Sequence, residues 1–497
     1  MPPILASFLT VLFIGYLFRR DFRERPNVTG ALWLPFFWVM INGGRFVSEW
    51  LAMCGLNLGG NSVEEGSPVD ALVFFVLIAA GVRILYQRRV SVAKFVRHNR
   101  WVSIYLGYCL LSAVFWSDFP FVAFKRWIKL FGQPVMVLIL LTEPDPLESL
   151  TRLLKRCAYV FIPVSILFIK YYPQWGRAFD AWSGLPTNAG ITTNKNALGC
   201  DCFILGFFFI WHFLRVWRLE KGKPRRNELV LCLGFFVMIG WLLYMAHSST
   251  SLGVLVLAVA ALGFLGLKFL NLRQLDVYLV MLVAACILGQ FFFGIYDFAI
   301  QALGRDSTLT DRTYIWQILL HWNINPILGA GFESFWLGDR QVKFAELFRG
   351  IPINEAHNGY LETYIQLGLL GLFITLALIL ATYAKARREL FENFDLGRFR
   401  LAYLAGFLFF NWTEAGFRTH CFPFFMFFLA AIDYPAQTEP LETYSDELAA
   451  DTANDGCPQN GLPATNPPGQ TQARPAEIGH AKTVAIGAVT GPHIAII

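Results

Sequence analysis

Leu-Val-Leu-Cys-Leu-Gly-Phe-Phe-Val-Met-Ile-Gly-Trp-Leu-Leu-Tyr-Met-Ala-His, residues 229–247, carries no Asp, Glu, Lys or Arg. Wound as a helix at about 1.5 Å per residue, it reaches roughly 30 Å, the thickness of a bilayer's hydrocarbon core. Arg225 and Arg226 stand just before it, and a second apolar run, 252–269, follows within a few residues. Similar runs recur outward from this pair at 4–18, 31–47, 69–86, 101–116, 128–142, 157–171, 196–214 and 277–298, then at 360–384, 401–412 and 422–432. The last two are short for a crossing and read as a re-entrant hairpin. The expected fold is therefore all-α: a polytopic helical membrane protein with about 11–13 transmembrane helices.

Composition agrees. Of the 497 residues, 56% are hydrophobic and 15% charged, where a soluble protein carries about 25% charged residues. Mean hydropathy is +0.48. The net charge of +6 sits in short clusters between apolar runs, so nucleic acid is not an expected partner. The nine cysteines show no C-x-x-C spacing and read as small buried hydrophobes.

Lys and Arg collect in alternate loops, at 19–25, 88–100, 152–156, 215–226, 268–273 and 385–400. The positive-inside rule makes that side cytoplasmic and puts the long loop 299–359 outside. Residues 1–434 form the membrane domain. The Pro-, Gly- and Asn-rich stretch 435–497 cannot bury enough apolar surface to fold and reads as a disordered cytoplasmic tail. No internal repeat is apparent, which weakens a transporter built from inverted halves.

The loop 299–359 and the helix after it hold the candidate chemistry. His357 stands where the loop becomes helix, and a neutral imidazole there could take a proton from an attacking hydroxyl. The alternative is a histidine that merely anchors the loop. Arg305 and Arg312 lie upstream, Arg312 after the N-cap candidates Thr310 and Asp311; arginine's fork of donors suits phosphate oxygens, though either could simply pair with Asp306 or Asp311. Other outward groups are Asn358, Arg126 with Lys125 and Lys129 in the loop 117–127, and Lys195 with Asn196 at the mouth of a span. Glu414 and Arg418 could be substrate ligands or an ordinary i, i+4 ion pair. No Asp-x-Asp occurs in an outer loop, and neither Walker A, G-x-S-x-G nor zinc spacing occurs. Catalysis here is expected to use no metal or other cofactor.

Taken together, Thr310-Asp311-Arg312-Thr313-Tyr314-Ile315-Trp316, Pro326-Ile327-Leu328-Gly329-Ala330-Gly331, Ala356-His357-Asn358-Gly359-Tyr360-Leu361-Glu362 and Gly368-Leu369-Leu370-Gly371-Leu372 resemble the O-antigen ligase and exopolysaccharide polymerase superfamily. Lys195-Asn196-Ala197-Leu198-Gly199 resembles an element of its ExoQ-like branch. The resemblance spans roughly residues 100 to 430. It implies a GT-C-like membrane glycosyltransferase, inverting and metal-independent, whose donor is a glycan on undecaprenyl diphosphate. The acceptor would be a growing glycan or lipid A-core, with a chain-length regulator and a flippase as further partners. Carried over, His357 is the base and Arg312 a diphosphate ligand. One departure stands out: Ser249 occupies a place where the family often has Arg or Lys, so Lys195, Arg126 or His247 would have to substitute. The rivals are a transporter or flippase for lipid-linked glycans and a non-catalytic member of an export assembly. Span centres almost bare of charge argue against the first.

Overall fold

The computed structural model describes residues 1–56, 66–180, 184–294, 312–348, 350–351 and 353–434. The expectations placed on Arg305, Asp306, Thr310, Asp311 and the tail 435–497 fall outside them. In chain order the helices are α1 (Pro3–Arg23), α2 (Trp33–Gly43), α3 (Val47–Met53), α4 (Pro68–Gln87), α5 (Val92–His98), α6 (Arg100–Phe115), α7 (Pro120–Leu141), α8 (Pro146–Tyr171) and α9 (Pro173–Gly176). A short antiparallel hairpin follows, β1 (Arg177–Phe179) and β2 (Pro186–Asn188). Then come α10 (Lys195–Trp217), α11 (Lys223–Ala246), α12 (Ser249–Phe264), α13 (Leu275–Phe293), α14 (Arg312–Leu320), α15 (Asp339–Leu347), α16 (Gly359–Glu392), α17 (Phe394–Thr413) and α18 (Phe422–Ala431). Over most of its described residues each expected span coincides with a helix, although 252–269 outruns α12, 31–47 is broken at 44–46, and 295–298 of the span 277–298 lie outside the described residues. Among the described residues six helices are long and apolar enough to cross a membrane, and four shorter apolar ones accompany them. The protein is an all-α polytopic membrane protein.

Burial sorts these helices into a core and a lipid-facing rim. All ten residues of α18 are buried, and a helix apolar on every side belongs in an interior. It packs Phe427 against Phe407 of α17 with centroids 4.9 Å apart, while Phe203 of α10 stacks on Tyr403. By contrast α1 and α13 leave most of their apolar side chains exposed, with only 11% of each span buried. That surface faces lipid.

Three expectations change. Residues 401–412 are not half of a hairpin: α17 runs for 20 residues, roughly 30 Å. Its first turns carry Arg398 and Arg400, which look like loop charges in sequence. In the fold both are buried, Arg398 donating to the Leu262 carbonyl at 2.6 Å and Arg400 to the Ala430 carbonyl and, at 2.7 Å, to Asp433. The helix continues because tertiary partners satisfy those charges. Likewise Arg126 and Lys129 sit on the first turns of α7 rather than in a loop, and Arg152, Lys155 and Arg156 lie buried in α8.

The third change concerns Gly368. The helix α16 is interrupted there, at φ 66° and ψ −168°. The loop from Asn325 inserts into the break: Ala330 N–H donates to Ile365 O and Gly331 N–H to Gln366 O, while Leu369 N–H donates to Pro326 O. Backbone groups freed by the break are thereby satisfied, as a membrane-embedded helix requires. Any Cβ on Gly368 would stand 2.1 Å from the Ile327 carbonyl oxygen. The Pro-Ile-Leu-Gly-Ala-Gly and Gly-Leu-Leu-Gly stretches are thus two halves of one joint. Above it, Ile315, Leu319, Phe335, Trp336, Phe344 and Phe348 close a small core of their own, which fixes α14 and α15 over the start of α16.

Candidate functional site

Three helix ends meet at one end of the bundle: the N-termini of α10 and α16 and the C-terminus of α17. The helix α17 stops at Thr413 because Glu414 turns extended, and Asn411 Oδ1 accepts the Gly416 N–H at 3.0 Å, holding the chain in its turn. Gly359 lies against this turn; its N–H donates to Glu414 O at 3.1 Å, and a Cβ there would strike Asn411 Oδ1 at 2.0 Å. Close backbone approach is what demands glycine.

His357 precedes this contact with φ 48°, a left-handed conformation uncommon outside glycine and frequent where function over-determines the backbone. Its neighbours hold it there. Ala356 N–H donates to Glu362 Oε2 at 2.8 Å, and the Ala356 carbonyl accepts Trp316 Nε1–H at 2.9 Å. Asn358 caps α16 by accepting the Tyr360 and Leu361 N–H groups. Its side-chain oxygen is therefore spent on the helix rather than left for a ligand.

The imidazole Nδ1 lies 3.2 Å from Glu414 Oε2 and 3.3 Å from Glu355 Oε1. The other Glu414 oxygen accepts from Arg312 Nη2 at 2.8 Å and from Asn196 Nδ2 at 3.1 Å; Arg312 Nη1 donates to the Thr413 carbonyl. Arg418 Nη1 reaches Glu355 Oε2 at 2.8 Å. His357, Arg312, Asn196, Glu414 and Arg418 thus form one network, centred on two carboxylates. The expected Glu414–Arg418 pair does not form, because the segment is not helical and each takes a partner from elsewhere.

Burial acts against the charged imidazolium, yet Glu355 and then Glu414 outweigh it and raise the His357 pKa. Burial pushes Glu414 the other way, but the bond from His357 and the charge of Arg312 hold its pKa below the usual carboxylate value. With Nδ1 turned to carboxylates, Nε2 is the ring nitrogen left for a substrate proton, the orientation a general base needs.

The remaining expected residues lie apart from this centre. Lys195 pairs with Asp180 at 2.6 Å. Arg126 donates to the Glu333 carbonyl and faces its carboxylate at 3.6 Å. Near Arg126 opens a cavity of about 470 Å³, lined by Lys129, Glu333, Trp336, Arg418 and His420 among others, so Arg418 faces both the cavity and the His357 network. Burial, then Lys129 and Arg126, push the His420 pKa well down. Glu355, Glu333 and His420 are the residues sequence reasoning missed. Glu355 offered one signal, its place two residues before His357; the others offered none.

Glu355, His357 and Glu414 also bring ligand atoms within 4.8 Å of one another, close enough to hold a metal ion. Linear spacing does not reveal this trio, which spans two separate segments. Each carboxylate already has one oxygen bonded to an arginine, which weakens its pull on a cation.

A membrane-spanning helical bundle with a partly buried His–Glu–Arg network at a junction of helix ends defines the class: a polytopic membrane protein with a polar site at one end. Residues 233–376 match the family model described as O-Antigen ligase. The "Exopolysaccharide production protein ExoQ" of Rhizobium meliloti (strain 1021) is 26% identical over 309 residues, 59% of this chain and 67% of that one. Over these stretches the chain is similar to the O-antigen ligase family and to this ExoQ protein. That likeness supports a membrane enzyme of polysaccharide biosynthesis. The matched segment contains His357 and Arg312, while Asn196, Glu414 and Arg418 come from outside it.

Proposed function

We propose that the protein is a periplasm-facing glycosyltransferase of the inner membrane that polymerises or ligates glycan units carried on undecaprenyl diphosphate, with inversion. The observation that carries this reading is His357, anchored through Nδ1 by Glu414 and Glu355 beside the Arg312 guanidinium. His357 Nε2 takes the proton of the acceptor hydroxyl as its oxygen attacks the anomeric carbon. The bond from that carbon to the diphosphate breaks, and the departing diphosphate carries away the electron pair. Fixed positive charge favours that departure, and Arg312 and Arg418 stand at the network to supply it. The acceptor, a lipid-linked chain or lipid A-core, decides between polymerase and ligase.

The test is product formation by the purified, reconstituted protein given undecaprenyl-diphosphate oligosaccharide from its own host. Lengthened lipid-linked chains mark a polymerase, and transfer to an added acceptor marks a ligase. A folded protein making neither would favour the transporter or scaffold reading. The Glu355–His357–Glu414 trio motivates a second reading, metal-assisted transfer. A chelator arm separates the two: full activity with chelator supports the metal-free route, and loss restored by an added divalent cation supports the other.

A further inference from the structure

A larger cavity, about 1180 Å³, opens at the other end of the bundle. Arg23 at the end of α1, Glu148 and Arg152 at the start of α8, Arg215 late in α10, Arg225 early in α11 and Asp395 at the start of α17 all line it. The helix α10 carries Asn196 of the His357 network at one end and Arg215 at the other. Its 23 residues set the two sites roughly 30 Å apart, about one hydrocarbon thickness. Neither the family match nor the chemistry above gives this second cavity a task.

Its back wall is closed by ion pairs. Glu228 takes Arg20 at 2.5 Å, His212 Nε2 at 2.8 Å and Lys155, while Arg152 binds Asp21, Glu24 and Glu148. The mouth differs. Among the described residues, Arg19, Arg23, Arg215 and Arg225 make no ion pair with a carboxylate. Eight Lys and Arg side chains line the cavity against five Asp and Glu, an excess of three positive charges. Two of these guanidinium groups are held over indoles, Arg215 4.8 Å from the Trp211 ring and Arg225 5.1 Å from Trp217, which fixes them without neutralising them.

Unspent hydrogen-bonding atoms point the same way. His212 is only 7% exposed, yet its Nδ1 has no partner, and neither do Arg152 Nε and Arg225 Nε. Three orphan atoms on the walls of one cavity are more than a native interior usually leaves unsatisfied. Phe13, Leu17, Val230, Leu231 and Met238 continue the lining as an apolar track between α1 and α11, and Phe13 and Val230 are exposed on the lipid-facing surface.

We propose that this cavity binds a phosphate anion, its oxygens at the arginines that make no ion pair, and that the apolar track seats the chain of the lipid bearing it. Arginine forks suit phosphate oxygens, and a cation excess beside lipid attracts anionic headgroups. This inference stands apart from the His357 chemistry and would survive its failure.

The test uses the full-length protein in nanodiscs and a double variant, Arg215→Gln with Arg225→Gln, which leaves the back-wall ion pairs intact. Lys268→Gln with Arg273→Gln, outside the cavity, controls for the change in net charge. The probes are palmitoyl-oleoyl phosphatidylglycerol in a phosphatidylcholine background, read by native mass spectrometry, and inorganic pyrophosphate, read by thermal shift. Preferential retention of phosphatidylglycerol by wild type and control, falling about tenfold in the Arg215/Arg225 variant, supports a lipid-borne phosphate. A pyrophosphate shift lost in that variant, without lipid preference, supports the anion site and assigns a free phosphate instead. Equal retention of both lipids with no pyrophosphate shift, or an undiminished response in the variant, overturns the proposal.

Discussion

His357 takes its character from two glutamates 57 and two positions away in the chain, Glu414 and Glu355. Because a base must be neutral to accept a proton, turnover should rise with pH through the raised His357 pKa, above the usual imidazole value of about 6.5. Glu355→Gln removes the larger of the two charges raising it. The acid limb of kcat/KM against pH should then move to lower pH; an unmoved limb would detach His357 from that profile. Linkage gives a companion prediction. A histidine whose pKa is raised by folding contributes stability fully below its unfolded pKa, and that contribution is lost as pH rises through the folded value. The Tm gap between wild type and His357→Ala should therefore be wider at about pH 5.5 than at about pH 9. The same variant should abolish turnover while inserting normally, checked by expression level and transfer assay together. Arg312→Ala breaks the buried pair with Glu414 and leaves only His357 and Asn196 to compensate that carboxylate, a loss of roughly 3 kcal/mol in thermal or denaturant unfolding. In Arg312→Lys, which keeps a cation, loss should appear in donor KM more than in acceptor KM; equal losses would count against a diphosphate role.

At the scale of elements, the joint between the Asn325 loop and α16 decides where the site lies. Gly329, at φ 74°, would set a Cβ 2.4 Å from the Gln366 carbonyl carbon, and Gly368 meets Ile327 in the same way. These positions need glycine both for positive φ and for space. Gly368→Ala should lower stability by roughly 2 kcal/mol or more, and the loss should appear in the loop that carries Trp336 as well as in α16. Protease resistance of 325–348 in the variant is the check. Gly234, with nothing within 4 Å of its would-be Cβ, is the matched control: Ala there should cost nothing measurable.

For the whole molecule, the two ends of the bundle differ in charge, and the membrane reads that difference as orientation. Asp339 and Lys221 are both exposed and lie toward opposite ends. In a cysteine-free background, Asp339→Cys should react with a membrane-impermeant maleimide in intact cells, and Lys221→Cys only after permeabilisation. The reverse pattern would invert the topology and move the His357 network to the cytoplasm.

Apolar runs such as 229–247 sufficed to establish an all-α membrane protein, because transfer into lipid depends on each segment's own composition. Motif order likewise pointed to the family likeness that the comparisons report, and singled out His357 and Arg312 as candidates. What sequence could not supply was partnership. Arg312 meets Glu414 across 102 positions, Arg418 turns to Glu355 rather than Glu414, and α17 reaches its full length because Leu262, Ala430 and Asp433 receive its arginines. Gly368 reads as part of a helix until the Asn325 loop is seen inside the break. Burial makes each of these pairings obligatory, since a charge or backbone group withdrawn from water must find a partner, but which partner it finds is settled only by how the helices pack.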